Sequence, residues 1–289
     1  MFLDLKIDGF SGTGLSATTA EIAAFESRNA NLTADIEKYL VDGEKNLNAT
    51  AIEDHLFPKV QADVFISHAH ADQAEAINLA IAFQRIGLTA FVDSCVWGHA
   101  DDLLNKVDKK FSANKGKENS YSYELRNRTT SNVHMILNSA LHEMIDRSEL
   151  LIFLDTDHSV KVKDLMEDDE YLSSPWIFSE LMFAKRTRRT PRQAARITLE
   201  HLFKAYAGTE HRQFEFQYEL PQLSSSVSYT DFLSWIKDGN TSSADWLNGL
   251  KHLDVLYKQV GVPAELLKNP RVPTCTGSPT ARDQSMTGV

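Results

Sequence analysis

Residues 62–94 constrain this chain more than any other stretch, because they read as one complete strand–loop–helix–strand unit. Asp63-Val64-Phe65-Ile66-Ser67 is a short apolar run of β-branched and aromatic residues, the composition of a strand buried in a parallel sheet. His68-Ala69-His70-Ala71-Asp72 follows as a polar loop. Asp72 reads as a helix N-cap, with Glu75 at capping-box spacing behind it. Ala76, Ile77, Ala80, Ile81 and Phe83 then recur at helical spacing, and Gly87 sits where a C-terminal cap belongs. Residues 88–92 form a second apolar run ending in Asp93. Two such strands joined by a helix are the building unit of a doubly wound α/β domain. Ligands in these folds sit beyond the carboxyl ends of the strands. Here those ends carry Ser67, His68, His70 and Asp72 on one side and Asp93, Ser94, Cys95 and Trp97 on the other.

The rest of the chain frames this unit. Residues 16–45 read as helical, with Ile22, Phe25, Leu32, Ile36 and Leu40 at helical spacing, so 1–61 is expected to be a helical N-terminal extension. After Asp93 comes a polar, lysine-rich insertion at about 95–132, then a helical pattern over 133–147 and a third apolar strand over 149–155. An acidic loop over 164–170 leads to Ser174 as N-cap and Pro175 at the first helical position, where proline is favoured. Residues 195–199 and 214–218 are candidate fourth and fifth strands. The expected main domain therefore spans 62–222, followed by a C-terminal helical segment over 223–269 and a turn-rich tail over 270–289.

Bulk properties narrow the function classes. A net charge of −10 argues against a general nucleic-acid or anionic-membrane binder. Cys95 and Cys275 lie far apart and suggest neither a disulfide framework nor a metal site, which fits a reducing compartment. The amino terminus, with acidic residues inside its short apolar run, does not read as a signal peptide, and no stretch approaches the ~18 apolar residues of a membrane span. A cytoplasmic protein is the expectation.

The central loop admits a metal reading. His68 and His70, two apart on an extended loop, can face one ion, with Asp72 as a third ligand. The pattern resembles the HxHxDH loop of the metallo-β-lactamase superfamily, but Gln73 stands where that loop has its next histidine. None of the downstream histidines (His134, His142, His158, His201, His211) lies in that family's glycine-rich context.

The order of elements resembles a different family. Asp63-Val64-Phe65-Ile66-Ser67-His68, the helix ending at Gly87, Thr89-Ala90-Phe91-Val92-Asp93, the strand Glu149-Leu150-Leu151-Ile152-Phe153-Leu154-Asp155 and the segment from Ser174 through Pro175-Trp176 to Glu180-Leu181 are similar, block by block, to a TIR (Toll/interleukin-1 receptor) domain over roughly 62–185. The resemblance is to the bacterial type, with a long insertion after the second strand. It implies a flavodoxin-like parallel sheet flanked by helices, and self-association.

TIR domains divide into scaffolds and enzymes that cleave NAD+, and in the enzymes the glutamate at the position of Glu180 is catalytic. The chemistry calls for a carboxylate. Breaking the nicotinamide–ribose bond builds oxocarbenium-like charge on the sugar, which a fixed anion stabilises more than it stabilises the ground state. The leaving group is already cationic, so one carboxylate can suffice without a metal or a separate cofactor. The resemblance makes NAD+ a substrate cleaved to ADP-ribose or a cyclised product, in bacterial stress or anti-phage signalling. It makes Ser67, His68, His70, Asp93, Trp97 and Trp176 candidates for nucleotide contacts. Trp176, four residues from Glu180 on the same helix face, can equally pack in the core. Ala69 and His70 stand where animal NAD-cleaving members place arginines, so phosphate contacts must come from elsewhere, with Tyr121, Tyr123, Arg126, Asn127 and Arg128 of the insertion as candidates. The alternatives are a non-enzymatic interaction module, in which Glu180 only complements the helix dipole, and a metal-dependent hydrolase using His68, His70 and Asp72.

Overall fold

The structure is a computed structural model of the 289-residue chain. It describes residues 1–27, 62–94, 104–114, 117, 120–161, 170–172, 174–187, 218–239 and 245–267, and the backbone alone of 28–29, 40–41, 46–47, 162–164 and 167–169. In chain order the elements are β1 (Leu3–Asp8), α1 (Thr19–Asn29), the short pair β2 (Leu40–Val41) and β3 (Asn46–Leu47), β4 (Val64–Ser67), α2 (Gln73–Arg85) and β5 (Ala90–Val92). Then come α3 (Tyr123–Arg147), β6 (Leu150–Leu154), β7 (Val160–Asp164), β8 (Glu167–Leu172), α4 (Pro175–Arg186), β9 (Tyr218–Glu219), β10 (Ser225–Ser228), α5 (Tyr229–Asp238), α6 (Trp246–Gln259) and α7 (Ala264–Leu267).

Five strands form one parallel sheet in the order β10-β1-β6-β4-β5. Helices cover both of its faces, so the fold is α/β of the flavodoxin-like type. The β5-β4-β6 half follows the flavodoxin order, with the first strand of the unit between the second and third. The next place in the sheet is taken by β1, from the amino terminus, and the edge by β10.

This corrects the reading of 1–61 as a helical extension: α1 is helical, but its first residues are a central strand. The reason lies in the pleat. Leu3, Leu5 and Ile7 point to one face and are buried with Val64, Ile66, Ile152 and Leu154. Asp4, Lys6 and Asp8 take the other face, where Lys6 Nζ meets Asp8 at 2.9 Å and Asp155 at 3.2 Å. Asp4 is buried and accepts from the Ser224 backbone N–H at 3.3 Å. β6 beside β1 is apolar on both faces, and a half-polar strand lacks that signature. The carboxyl end is no appendage either. β10 pairs with β1, and Tyr257 of α6 is fully buried with its hydroxyl donating to Glu149 at 3.2 Å. The acidic segment expected as a loop is the antiparallel hairpin β7–β8, and α3 begins at Tyr123, ten residues before the apolar periodicity starts. Ser122 caps it by accepting from the Leu125 N–H.

Residues 195–199, most of 214–218 and the 270–289 tail lie outside the described residues. Among the described residues no helix is long and apolar enough to cross a membrane.

The sheet splits the core in two. Helices α1, α2, α5 and α6 pack on the face that carries Leu5, Ile66 and Ile152. Helices α3 and α4 pack on the face that carries Phe65, Leu151 and Phe153. Gly87, expected as the cap of α2, has φ +88°, and a Cβ there would lie 2.4 Å from the carbonyl oxygen of Asp245 at the start of α6. Gly87→Ala is expected to cost roughly 2–4 kcal/mol from left-handed strain plus backbone overlap, read as a lowered urea midpoint. An unchanged midpoint would show that α6 does not close on this turn.

Candidate active site

The parallel register decides which side chains meet. Ile66 pairs with Val92 across β4 and β5, so Ser67 and Asp93, one residue further along, lie side by side at the carboxyl ends. They point to the face covered by α3 and α4, together with Phe65 and Phe91. Helix α4 reaches this face through its start: Ser174 accepts from the Ile177 N–H at 3.3 Å and Pro175 opens the first turn. Glu180, near the middle of α4, is thereby pushed against the end of β4, with none of its surface exposed.

Five polar side chains form the centre. Ser67 Oγ donates to Glu180 Oε2 at 2.6 Å. His68 Nδ1 lies 2.9 Å from Asp93 Oδ1, and its Nε2 lies 2.9 Å from Ser94 Oγ. The Ser94 backbone N–H donates to Asp93 Oδ1 at 2.7 Å. Burial alone would lower the His68 pKa, but the charge and hydrogen bond of Asp93 outweigh it and hold the imidazole above its ordinary value. In its protonated form the ring donates to both Asp93 and Ser94. Glu180 is pushed well above the ordinary carboxylate range, first by complete burial and then by the negative charge of Asp93 beside it. Its Oε1 has no hydrogen-bond partner among the described residues. The arrangement thus brings two carboxyls, an imidazole and two hydroxyls together at one buried point.

A cleft of about 290 Å³ opens beside this centre, near the lower end of the roughly 300–1,000 Å³ usual for ligand pockets. Its polar wall is His68, His70, Asp93, Ser94, His134 and Ser174, and Leu137, Trp176 and Ile177 belong to its apolar wall. Trp176 and His134 meet edge to face at 5.3 Å. Ser67 and Glu180 do not line the cleft; they lie behind Asp93.

Of the expected site residues, His68, His70, Asp93 and Trp176 converge on the cleft, Ser67 and Glu180 stand behind it, and Trp97 lies outside the described residues. Ser94 and His134 were missed as ligand contacts. Ser94 was legible as the neighbour of Asp93, whereas His134, one turn along a surface helix, reaches the cleft only through the packing of α3 against α4. The insertion residues do not extend the site. Arg126 pairs with Asp108 at 3.0 Å and lies over the Tyr121 ring, and Tyr121, Tyr123, Asn127 and Arg128 are likewise absent from the cleft wall.

The three residues of the metal reading do not converge. His68 turns to Asp93, His70 is exposed at the cleft, and Asp72 turns the other way, accepting from Thr156 Oγ1 at 2.6 Å and pairing with His158 Nδ1 at 2.5 Å. Among the described residues no group of three His, Cys, Asp or Glu side chains is placed to hold a metal. For the same reason Asp72 does not cap α2 with its side chain, as the sequence suggested. The hydrogen bond and charge of Asp72 raise the His158 pKa. A raised imidazole stabilises the loop below its ordinary pKa, and that contribution disappears as pH rises through the folded value. Asp72→Asn is expected to return the His158 titration, followed by ring NMR, to the ordinary histidine range. An unmoved titration would mean the pair is not formed in solution.

The chain matches no family model, no curated protein and no solved structure.

Proposed function

We propose that this chain is a TIR-type enzyme that cleaves the nicotinamide–ribose bond of NAD+. One observation carries the reading: a buried carboxyl pair, Asp93 at the end of β5 and Glu180 of α4 bonded to Ser67 at the end of β4, stands beside a cleft walled by imidazoles and an indole. In the reaction the N-glycosidic bond breaks and its electron pair stays on the nicotinamide nitrogen, which leaves neutral. The ribosyl oxocarbenium is then captured by water with release of a proton, giving ADP-ribose, or by a ring nitrogen of the adenine, giving a cyclic product. The pair supplies the negative field that favours the developing cation in a site of low dielectric. Trp176 and His134 offer flat surfaces to the leaving ring. Cytoplasmic action in bacterial stress or anti-phage signalling, and self-association of the domain, rest on the family resemblance.

The test is nicotinamide release from NAD+ by purified protein, dilute and crowded, beside Glu180→Ala. Turnover reduced at least about 10²-fold in the still-folded variant is expected, the size typical of removing one preorganised electrostatic group. Turnover unaffected by the substitution would overturn the site. The sealing of Glu180 behind Asp93 favours a second reading, a non-enzymatic interaction module in which the pair only holds α4 to the sheet. Absence of turnover in both dilute and crowded protein would put that reading ahead.

A further inference from the structure

We infer that Ser94, His68 and Asp93 form a nucleophile, a base and an orienting carboxylate, which makes the cleft a site of acyl transfer from small uncharged esters to the Ser94 hydroxyl. The cleavage of NAD+ gives that hydroxyl no role, so the acyl transfer is a further activity of the same cleft.

The three side chains stand in the order the chemistry needs. Ser94 Oγ lies 2.9 Å from His68 Nε2, and His68 Nδ1 lies 2.9 Å from Asp93 Oδ1. Both distances fall within the roughly 2.6–3.2 Å that joins a nucleophile to its base and the base to the group that orients it. In the neutral ring Nδ1 keeps its hydrogen on Asp93, so Nε2 is the nitrogen that accepts from Ser94. Such a set is recognised by geometry and roles, whatever the fold or the order along the chain. It is held in place by burial of all three residues and by the Ser94 backbone N–H, which donates to Asp93 at 2.7 Å. It is also reachable, because all three line the cleft. Ser174, Trp176 and Ile177 bring the first turn of α4 to the same cleft. The positive end of that helix therefore adjoins the place where an oxyanion forms. Leu104, Val133 and Leu137 give the acyl group an apolar wall, and the small volume limits its length.

In the first step Ser94 Oγ bonds to the ester carbonyl carbon, its proton passes to His68 Nε2, and the carbonyl electron pair moves onto oxygen. The pair then returns, the carbon–oxygen bond to the alcohol breaks, and His68 gives the proton to the leaving oxygen. Water, giving a proton to the same nitrogen, releases the acid and restores Ser94.

The experiment exposes the full chain to diisopropyl fluorophosphate, which forms an Oγ–phosphorus bond, expels fluoride and passes the hydroxyl proton through His68 to solvent. Peptide mass mapping of the parent chain is expected to find the label on Ser94, a result that depends on no variant's folding. With p-nitrophenyl acetate the chain should release a burst of nitrophenolate approaching its own concentration, the mark of an accumulating acyl-enzyme. Ser94→Ala should lose both label and burst and run at least about 10²-fold slower. Asp93→Asn should slow labelling by up to about 10⁴-fold, because it no longer fixes the tautomer. It should also move the pH midpoint of labelling downward, since the Asp93 charge holds the His68 ring above its ordinary value. Asp72 adds its charge to that ring, Glu180 stands beside Asp93, and His70 and His134 share the cleft, so the midpoint is read as a difference between the two chains. An unmoved midpoint overturns the role of Asp93. A parent chain unlabelled at Ser94, or a burst that survives Ser94→Ala, overturns the inference. Labelled Ser94 in a chain that releases no nicotinamide supports the inference and counts against NAD+ cleavage alone.

Discussion

Trp235→Ala is expected to remove about 4–5 kcal/mol from the stability of the whole protein, and to do so in a single transition. Trp235 of α5 is buried at 3% exposure. Its ring lies 5.4 Å from Phe232 and 6.1 Å from Phe83 of α2, and stacks on His252 of α6 at 4.8 Å. The indole N–H donates to the His252 carbonyl at 3.0 Å, and the His252 ring nitrogen meets the Trp235 carbonyl at 2.7 Å. Truncation therefore opens a cavity where three helices meet and leaves a carbonyl without its donor. Against a typical total of about 5–15 kcal/mol, that is a large fraction. The shape of the transition decides more than its midpoint. Helices α5 and α6 follow β10, the edge strand that pairs with the interior strand β1, so their loss should undo the sheet with them. Circular dichroism and intrinsic fluorescence should report coincident midpoints. Two separated transitions would show instead that residues 223–269 fold as a unit of their own.

Glu180→Gln should make the protein more stable at alkaline pH and flatten its pH dependence. The sign follows from burial. A carboxyl whose folded pKa is raised keeps a proton that the unfolded chain, titrating near pH 4.3, has lost. The native state binds more protons across that interval, so stability is greatest below the ordinary carboxylate value and falls as pH rises through the folded one. Glutamine carries no proton to lose, and it fills the same space between Ser67 and Asp93. His68 is also raised, by Asp93, and contributes a decline of the same sign that begins near the ordinary imidazole value. The variant should therefore lose the decline that runs from the ordinary carboxylate value up to the raised folded value of Glu180, and keep the decline that His68 contributes above about pH 6.5. Urea midpoints measured from pH 4 to 9 would show this, and a slope unchanged by the substitution would mean that Glu180 is ionised in the native state.

The local sequence carried a large share of the architecture. The apolar runs around Val64-Phe65-Ile66, residues 88–92 and Leu150-Leu151-Ile152-Phe153-Leu154 announce buried parallel strands, because only strands covered on both faces omit polar residues altogether. Gly87 marks the end of α2 because only a residue without Cβ takes its positive φ at little cost. Ser174 with Pro175 marks the start of α4 through the orphan amides of a first turn. Strand ends carrying Ser67-His68 and Asp93 pointed to the site, since side chains there cannot be covered by the sheet itself.

Long-range pairing decided the rest. Nothing local to residues 3–8 says that they lie beside β6, more than a hundred positions away, with Lys6 neutralised by Asp155. His134 joins the cleft only because α3 and α4 pack together, and Asp72 leaves it because Thr156 and His158 stand within reach on the other side. The raised pKa of Glu180 is likewise a tertiary property: it is the closure of α4 onto β4, beside Asp93, that removes the water.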